Sequence, residues 1–378
     1  MTAFAPQAPH GPPAASTSRF IATFAIILLS IAGLLAADTV LARVDRRESQ
    51  AHAASLYREG AALLARGDVR GAIDRLTAAV ESERDNVTYQ LALAQAMLAG
   101  GRPQDAETTL LEVLKTAEID GAANMAMARV LTRQARYEEA KAYYHRAIYG
   151  RWGADSVPAR ATARFELIDL LARRQDNEAL VAELLPFQVT PPADVALRRR
   201  IGRLFTQAGS PARGAAMFRD ILRDHPRDAD AYAGLGQADL ALGNLHAAHA
   251  EFGTAARFAP GDAVAKAGLM AVDSAISLNP VEVGLSIAER EARAGRLLAM
   301  TVSALSKCSR WPPAEVVEAR DSAVRLSAPV PGRRMSLARV DSMTGLAVDL
   351  WKSRPSTCAT SVAPGQGPLQ AVLVRIAR

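Results

Sequence analysis

Cysteine and aromatic residues are scarce in this chain. Its 378 residues include two cysteines, and Phe, Trp and Tyr together make up 5%. So few cysteines exclude a disulfide-dense scaffold. The apolar share of 49% is carried by Ala, Leu and Val, and the shortage of aromatic and β-branched residues favours helices over sheets. Neither sign of charge dominates. Forty-five Lys plus Arg against 39 Asp plus Glu leave +6, which is no nucleic-acid signature without a basic patch. Catalytic signatures are missing too: there is no Gly-x-Ser-x-Gly, no phosphate-loop lysine and no paired-cysteine metal motif. His246-Ala-Ala-His249 with Glu251 sets two imidazoles along one helix edge, but no acid completes the zinc-hydrolase pattern. Gly234-x-Gly236 follows a helix start and not a strand, which argues against a nucleotide loop. The expectation is a non-enzymatic protein without metal or cofactor.

Residues 1–18 contain four prolines and no charged side chain, which reads as a short tail. Arg19 then precedes an apolar run over residues 20–37. As a helix that run spans roughly 27 Å, close to the hydrocarbon thickness of a bilayer. A cleaved signal peptide is the alternative to an uncleaved anchor, since Val40-Leu41-Ala42 offers small residues for cleavage. The run is longer than a signal core, so a transmembrane anchor over residues 19–42 is the reading taken. Arg43, Arg46 and Arg47 follow the span and favour a cytoplasmic body, whereas the position of the run near the N-terminus favours an extracytoplasmic one. The expectation is a single-pass inner-membrane protein with a periplasmic body.

The informative feature is self-similarity. Gly60-x2-Leu63-x3-Gly67-x4-Ala72-x3-Leu76-x2-Ala79 is followed by Ala94-x2-Met97-x3-Gly101-x4-Ala106-x3-Leu110-x2-Val113. Further copies run through Ala128, Ala135, Ala140 and Tyr144; through Gly202, Gly209, Gly214 and Phe218; and through Gly236, Gly243, Ala248 and Phe252. Ala72, Ala106 and Ala140 are evenly spaced, as are Gly214 and Ala248. An insertion over residues 150–157 and a worn repeat carrying Leu167, Leu170 and Ala179 account for the interval between the two blocks. In that worn copy Arg173-Arg174-Gln175 replaces the turn glycine. The pattern, over residues 50–280, resembles the tetratricopeptide repeat family, here of a membrane-anchored bacterial type. The resemblance implies about six antiparallel helix pairs, A and B, stacked as a right-handed α-solenoid. Small residues would sit where the two helices of a pair approach, and glycine would end helix A in the left-handed region.

The resemblance also implies a binding surface. In this family helix A lines a groove, and the register places Tyr57, Leu91, Gln95, Arg129, Arg133, Arg164, Arg199, Arg203 and Gln207 there. Five arginines on one face favour a carboxylate-bearing or acidic ligand. The competing reading is that they are ordinary solvated or ion-paired side chains. Tyr57 and Ala61 stand where chaperone-binding members carry Lys and Asn, which argues against a chaperone adaptor.

Beyond residue 280 the period stops. Helices are expected over residues 281–307, 313–326 and 335–351, with a short apolar segment over 369–376, forming a small helical C-terminal domain over 281–378. Both cysteines, Cys308 and Cys358, fall in it. In an oxidising compartment they would be natural partners, and closing that loop would contribute about 4 kcal/mol. In a reducing one they would be separate buried thiols. The sequence thus describes an all-α, membrane-anchored scaffold for protein–protein interaction in a cell-envelope assembly, of the polysaccharide-export, secretion or pilus type. Its partners are one or more proteins in the groove and the lipid bilayer, and no nucleic acid. Binding of an anionic polysaccharide by the basic groove is the alternative.

Overall fold

The computed structural model describes residues 15–153, 156–307, 313–327, 336–354 and 367–378. Cys308 and Cys358, and with them the expected disulfide, lie outside the described residues. The chain forms two compact units, Met1–Arg164 and Phe165–Arg378. Among the described residues there is no strand beyond one isolated bridge, so the all-α expectation holds.

The first unit opens on α1 (Ala15–Ala65), a single unbroken helix of 51 residues. It carries the apolar run and, at its C-terminal end, helix A of the first repeat. Burial begins only at Ala53; the described side chains before it are exposed. α2 (Val69–Ser82) returns along the end of α1, with Leu76 fully buried against Gly60. A Cβ at Gly60 would stand 2.6 Å from the Leu76 side chain, so the absence of one lets the two helices close. α3 (Val87–Ala99) pairs with α4 (Pro103–Thr116), and α5 (Gly121–Arg133) with α6 (Tyr137–Tyr149). Ala72, Ala106 and Ala140 are each wholly buried, as the expected close approach of paired helices requires.

The turns between helices A and B keep one conformation through both units. Gly67, Gly101, Gly209 and Gly243 have φ between +72° and +84°. Ala135 (φ +60°) and Gln175 (φ +56°) take the same region without being glycine. Packing of the pair overrides the local cost of a Cβ there, about 1 kcal/mol. Gln175 therefore marks the turn of the worn repeat that the missing glycine obscured. Residues 150–153 fold back on the start of α5: Gly121 N–H donates to the Arg151 carbonyl at 2.8 Å, and Trp152 Nε1 donates to the Ala147 carbonyl at 2.7 Å. The indole covers Gly121, where any Cβ would lie 2.3 Å from it.

The boundary between the units falls within α7 (Ser156–Arg174). The second unit continues with α8 (Asn177–Leu184), the single turn α9 (Pro186–Val189), and the pair α10 (Val195–Gln207) and α11 (Pro211–Asp224). α12 (Ala229–Ala241) and α13 (Leu245–Phe258) form the next pair, and α14 (Ala263–Leu278) packs on both. Aspartates cap the A-type helices: Asp194 accepts from Ala196 N–H, Asp228 from Ala231 N–H and Asp262 from Val264 N–H, at 2.8 to 2.9 Å. Each satisfies a backbone donor that the helix itself leaves open.

The core between repeats is built on a glycine–phenylalanine–glycine contact. Phe218 is fully buried, with Gly202 of its own pair on one side and Gly234 of the next pair on the other. A Cβ at these glycines would meet the ring at 2.9 and 2.3 Å. Phe252 repeats the arrangement between Gly236 and Gly268, at 3.0 and 2.3 Å. Gly234, which the nucleotide-loop comparison singled out, is thus a packing residue.

α15 (Ile287–Ser306), α16 (Pro313–Ser327) and α17 (Leu337–Ser353) pack on one another, and α18 (Gly367–Ile376) returns to α12 and α14. α15 starts six residues later than the sequence suggests. Residues 281–286 form a turn with Gly284 at φ +81°, and Ser286 caps α15 by accepting from Glu289 N–H at 3.2 Å. Residues 281–378 also share one hydrophobic core with the last repeats. Leu245, Ala275 and Leu278 cluster with Leu297, Met343, Trp351, Leu369, Val372 and Leu373. α14 thus packs on α12 and α13 on one side and is covered by α18 and α15 on the other.

Candidate partner-binding surface

Helix A supplies the residues that the register points to, and the two units place them differently. In the first unit Tyr57 on α1 stacks on Tyr89 of α3, ring centroids 5.1 Å apart. Tyr57 and Leu91 are half-buried, while Gln95 is exposed. Arg129 of α5 is half-buried and Arg133 exposed; Arg133 makes no ion pair among the described residues. Arg164 donates towards the Tyr149 hydroxyl at 3.5 Å. The face thus runs from aromatic and aliphatic groups at α1 and α3 to guanidinium at α5.

In the second unit Arg199 is already engaged. Its guanidinium lies 3.2 Å from Asp228 and 2.7 Å from Asp230, both at the start of α12. Asp228 also caps α12, so this arginine ties the two pairs together. Arg203 and Gln207, one and two turns further along α10, are exposed, and Arg203 has no ion pair among the described residues. Arg199, His225, Pro226 and Asp230 border an open depression of about 710 Å³. Other arginines follow Arg199. Arg136 bridges Glu107 and Glu139 at 2.7 and 2.6 Å, and Arg198 lies 3.4 Å from Asp224. Part of the basic surplus therefore joins helices; of the arginines that the register names, Arg133 in the first unit and Arg203 in the second are exposed and without an ion pair among the described residues.

The histidine edge is likewise accounted for. His246 Nε2 lies 2.9 Å from Glu282, and His249 Nε2 lies 3.4 Å from Asp273, so each faces an acid from the segment that follows. No group of three or more His, Cys, Asp or Glu that could hold a metal occurs among the described residues. Sequence reasoning missed Tyr89, Asp228 and Asp230. For Asp228 the signal was present: Asp194, Asp228 and Asp262 recur at the repeat spacing.

At the N-terminus, α1 holds an apolar stretch, from Ile27 on, long enough to cross a membrane, and none of it is buried. A signal sequence would have the same length and composition.

Residues 63–120 and 205–271, about a third of the chain, match the family model described as tetratricopeptide repeat. No curated protein matches the chain. Among solved structures, YrrB, a tetratricopeptide repeat protein with an unusual peptide-binding site, is 17% identical; the match covers 50% of this chain and 95% of that one, with a TM-score of 0.39. PilF of Pseudomonas aeruginosa is 15% identical over 59% of this chain and 97% of its own, with a TM-score of 0.40. The C-terminal part of a repeat-containing protein from Cytophaga hutchinsonii is 12% identical over 70% and 98%, with a TM-score of 0.46. The evenly spaced helix pairs, their left-handed turns and the matched family model agree: over residues 63–120 and 205–271 the chain carries tetratricopeptide repeats.

Proposed function

We propose that this protein is a single-pass, membrane-anchored scaffold whose repeats hold a protein partner within a cell-envelope assembly, with its body on the periplasmic side. The observation that carries this reading is that Gln95 and Arg133 in the first unit, and Arg203 and Gln207 in the second, are exposed on the A helices while Arg199 beside them is ion-paired. Exposed guanidinium groups suit carboxylates, which they bind in a bidentate fork, so an acidic segment of the partner is the expected ligand. The anchor reading rests on α1, whose apolar run continues without a break into the first repeat.

Photo-crosslinkers placed at Gln95, Arg133, Arg203 and Gln207 in cells should each capture the same protein, while crosslinkers at Glu112 and Thr254 on helices B should not. Equal capture from both sets would refute the A-face reading. Binding of an anionic glycan is favoured by the same two arginines, and it predicts salt-sensitive retention on acidic polysaccharide that the double variant R133A/R203A loses. For the orientation, a phosphatase active only in the periplasm, fused after Arg378, should be active. Fluorescence of a cytoplasm-only reporter at the same position would place the body inside and vindicate Arg43, Arg46 and Arg47.

A further inference from the structure

Asp239 on α12 is 1% exposed, and it is held by two donors. Arg219 Nη2 of α11 reaches it at 3.0 Å and Asn244 Nδ2 at 2.7 Å. Asn244 stands at the start of α13 but does not cap it; its amide is turned to Asp239 instead. Glu251, one turn and a half along α13, meets the same carboxyl. As a carboxylate, its buried Oε2 finds no donor. Protonated, it becomes a donor able to hydrogen-bond to Asp239. Two carboxyl groups here face a single cation, Arg219, whose side chain is 55% exposed. One proton shared between them removes the like-charge repulsion.

The turn above this pair is where α18 sits. Gly67, Gly101 and Gly209 have open space where a Cβ would be, whereas Gly243 has the backbone of Ala371 and Arg375 at 2.8 to 3.0 Å. Arg375 donates to the Gly243 carbonyl at 3.5 Å, and Arg378 to Asn244 Oδ1 at 3.3 Å. The Asn244 side chain thus holds Asp239 with one end and receives Arg378 with the other.

We propose that Asp239 and Glu251 form a one-proton latch: the shared proton keeps the α12–α13 turn in the shape that seats α18, and its loss at alkaline pH loosens that seat. Burial, and then the neighbouring Asp239 charge, push the Glu251 carboxyl up to about 8, while Arg219 opposes the shift. Among the described residues no other charge bears on it. Asp273 of α14 is engaged with His249, and Arg375 and Arg378 of α18 reach only the turn. The folded pKa lies above the unfolded one, so the stability this proton contributes is complete below about pH 4.5, declines through the window between, and is gone above about pH 8.

Hydrogen–deuterium exchange on the full chain in lipid nanodiscs, corrected for the intrinsic effect of pH, tests the latch between pH 6.5 and 9.5. Amides of residues 239–251 and 367–376 should lose protection together, with a midpoint near 8 and at least a tenfold rise in exchange. In Glu251→Gln the amide donates to Asp239 without titrating, so both segments should stay protected throughout. Asp239→Asn, which removes the charge facing Glu251, should move the wild-type midpoint towards the ordinary carboxylate range. Protection unchanged to pH 9.5 in the wild type, E251Q tracking the wild type, or residues 239–251 loosening without 367–376 would each overturn the proposal.

Discussion

Phe218→Leu and Gly234→Ala, made together, should cost this protein far less than the two changes summed. Singly, Phe218→Leu leaves a void beside two glycines, and Gly234→Ala drives a Cβ to within 2.3 Å of the ring. Truncations and overpacking of this kind typically cost about 1–3 kcal/mol each. The pair restores a combination the chain already uses. In the first repeats the same positions hold Leu76 with Ala92 and Leu110 with Ala126, and Ala92 packs on the cluster containing Leu76. A coupling of about 1–2 kcal/mol should appear in a double-mutant cycle read by denaturant unfolding. Strict additivity would mean that ring and glycine are not one packing unit. Phe218→Ala, with no compensating residue, should lose about 3–5 kcal/mol.

Removing α18 should have a comparable effect by another route. Leu369, Val372 and Leu373 are essentially wholly buried against Leu245, Ala275 and Leu278. A chain ending at Ser353 uncovers that face, and its thermal midpoint should fall by about 5 °C or more, with concentration-dependent self-association. A monomer of unchanged stability would show that α18 contributes nothing to the end of the repeat array. A finer test compares two turn glycines of equal conformation. Gly209→Ala carries only the cost of a left-handed Cβ, about 1 kcal/mol. Gly243→Ala carries that cost and a clash with α18 backbone at 2.8 Å, and should lose about twice as much or more. Equal losses would mean that α18 yields freely.

Several features were legible in the residues because they are local. The spacing of Ala72, Ala106 and Ala140 fixes which helix faces meet, and glycines at Gly67, Gly101, Gly209 and Gly243 fix where helix A must end. The worn repeat was harder to read: Gln175 turns in the left-handed region without glycine, and only the surrounding packing compels it. The start of α15 was misplaced because residues 281–286 keep an apolar pattern, while Gly284 and Ser286 carry the turn and the cap. On the candidate surface, the register named Arg199 and Arg203 alike. Asp228 and Asp230 separate them, and those aspartates lie about thirty residues further along the chain.

The sequence by itself determined the repeats, the helix pairs and the position of an apolar anchor-length run, because each follows from local pattern within a few turns of helix. Only the tertiary structure decided what the spare residues are for. Gly234 and Gly268 are small because a phenylalanine from the preceding pair fills the space that their side chains would occupy. Asp239 and Glu251 meet because α12 and α13 close on each other, and Gly243 is crowded by a helix more than a hundred residues later. Contacts at that separation depend on how the chain folds back, and no spacing in the sequence encodes it.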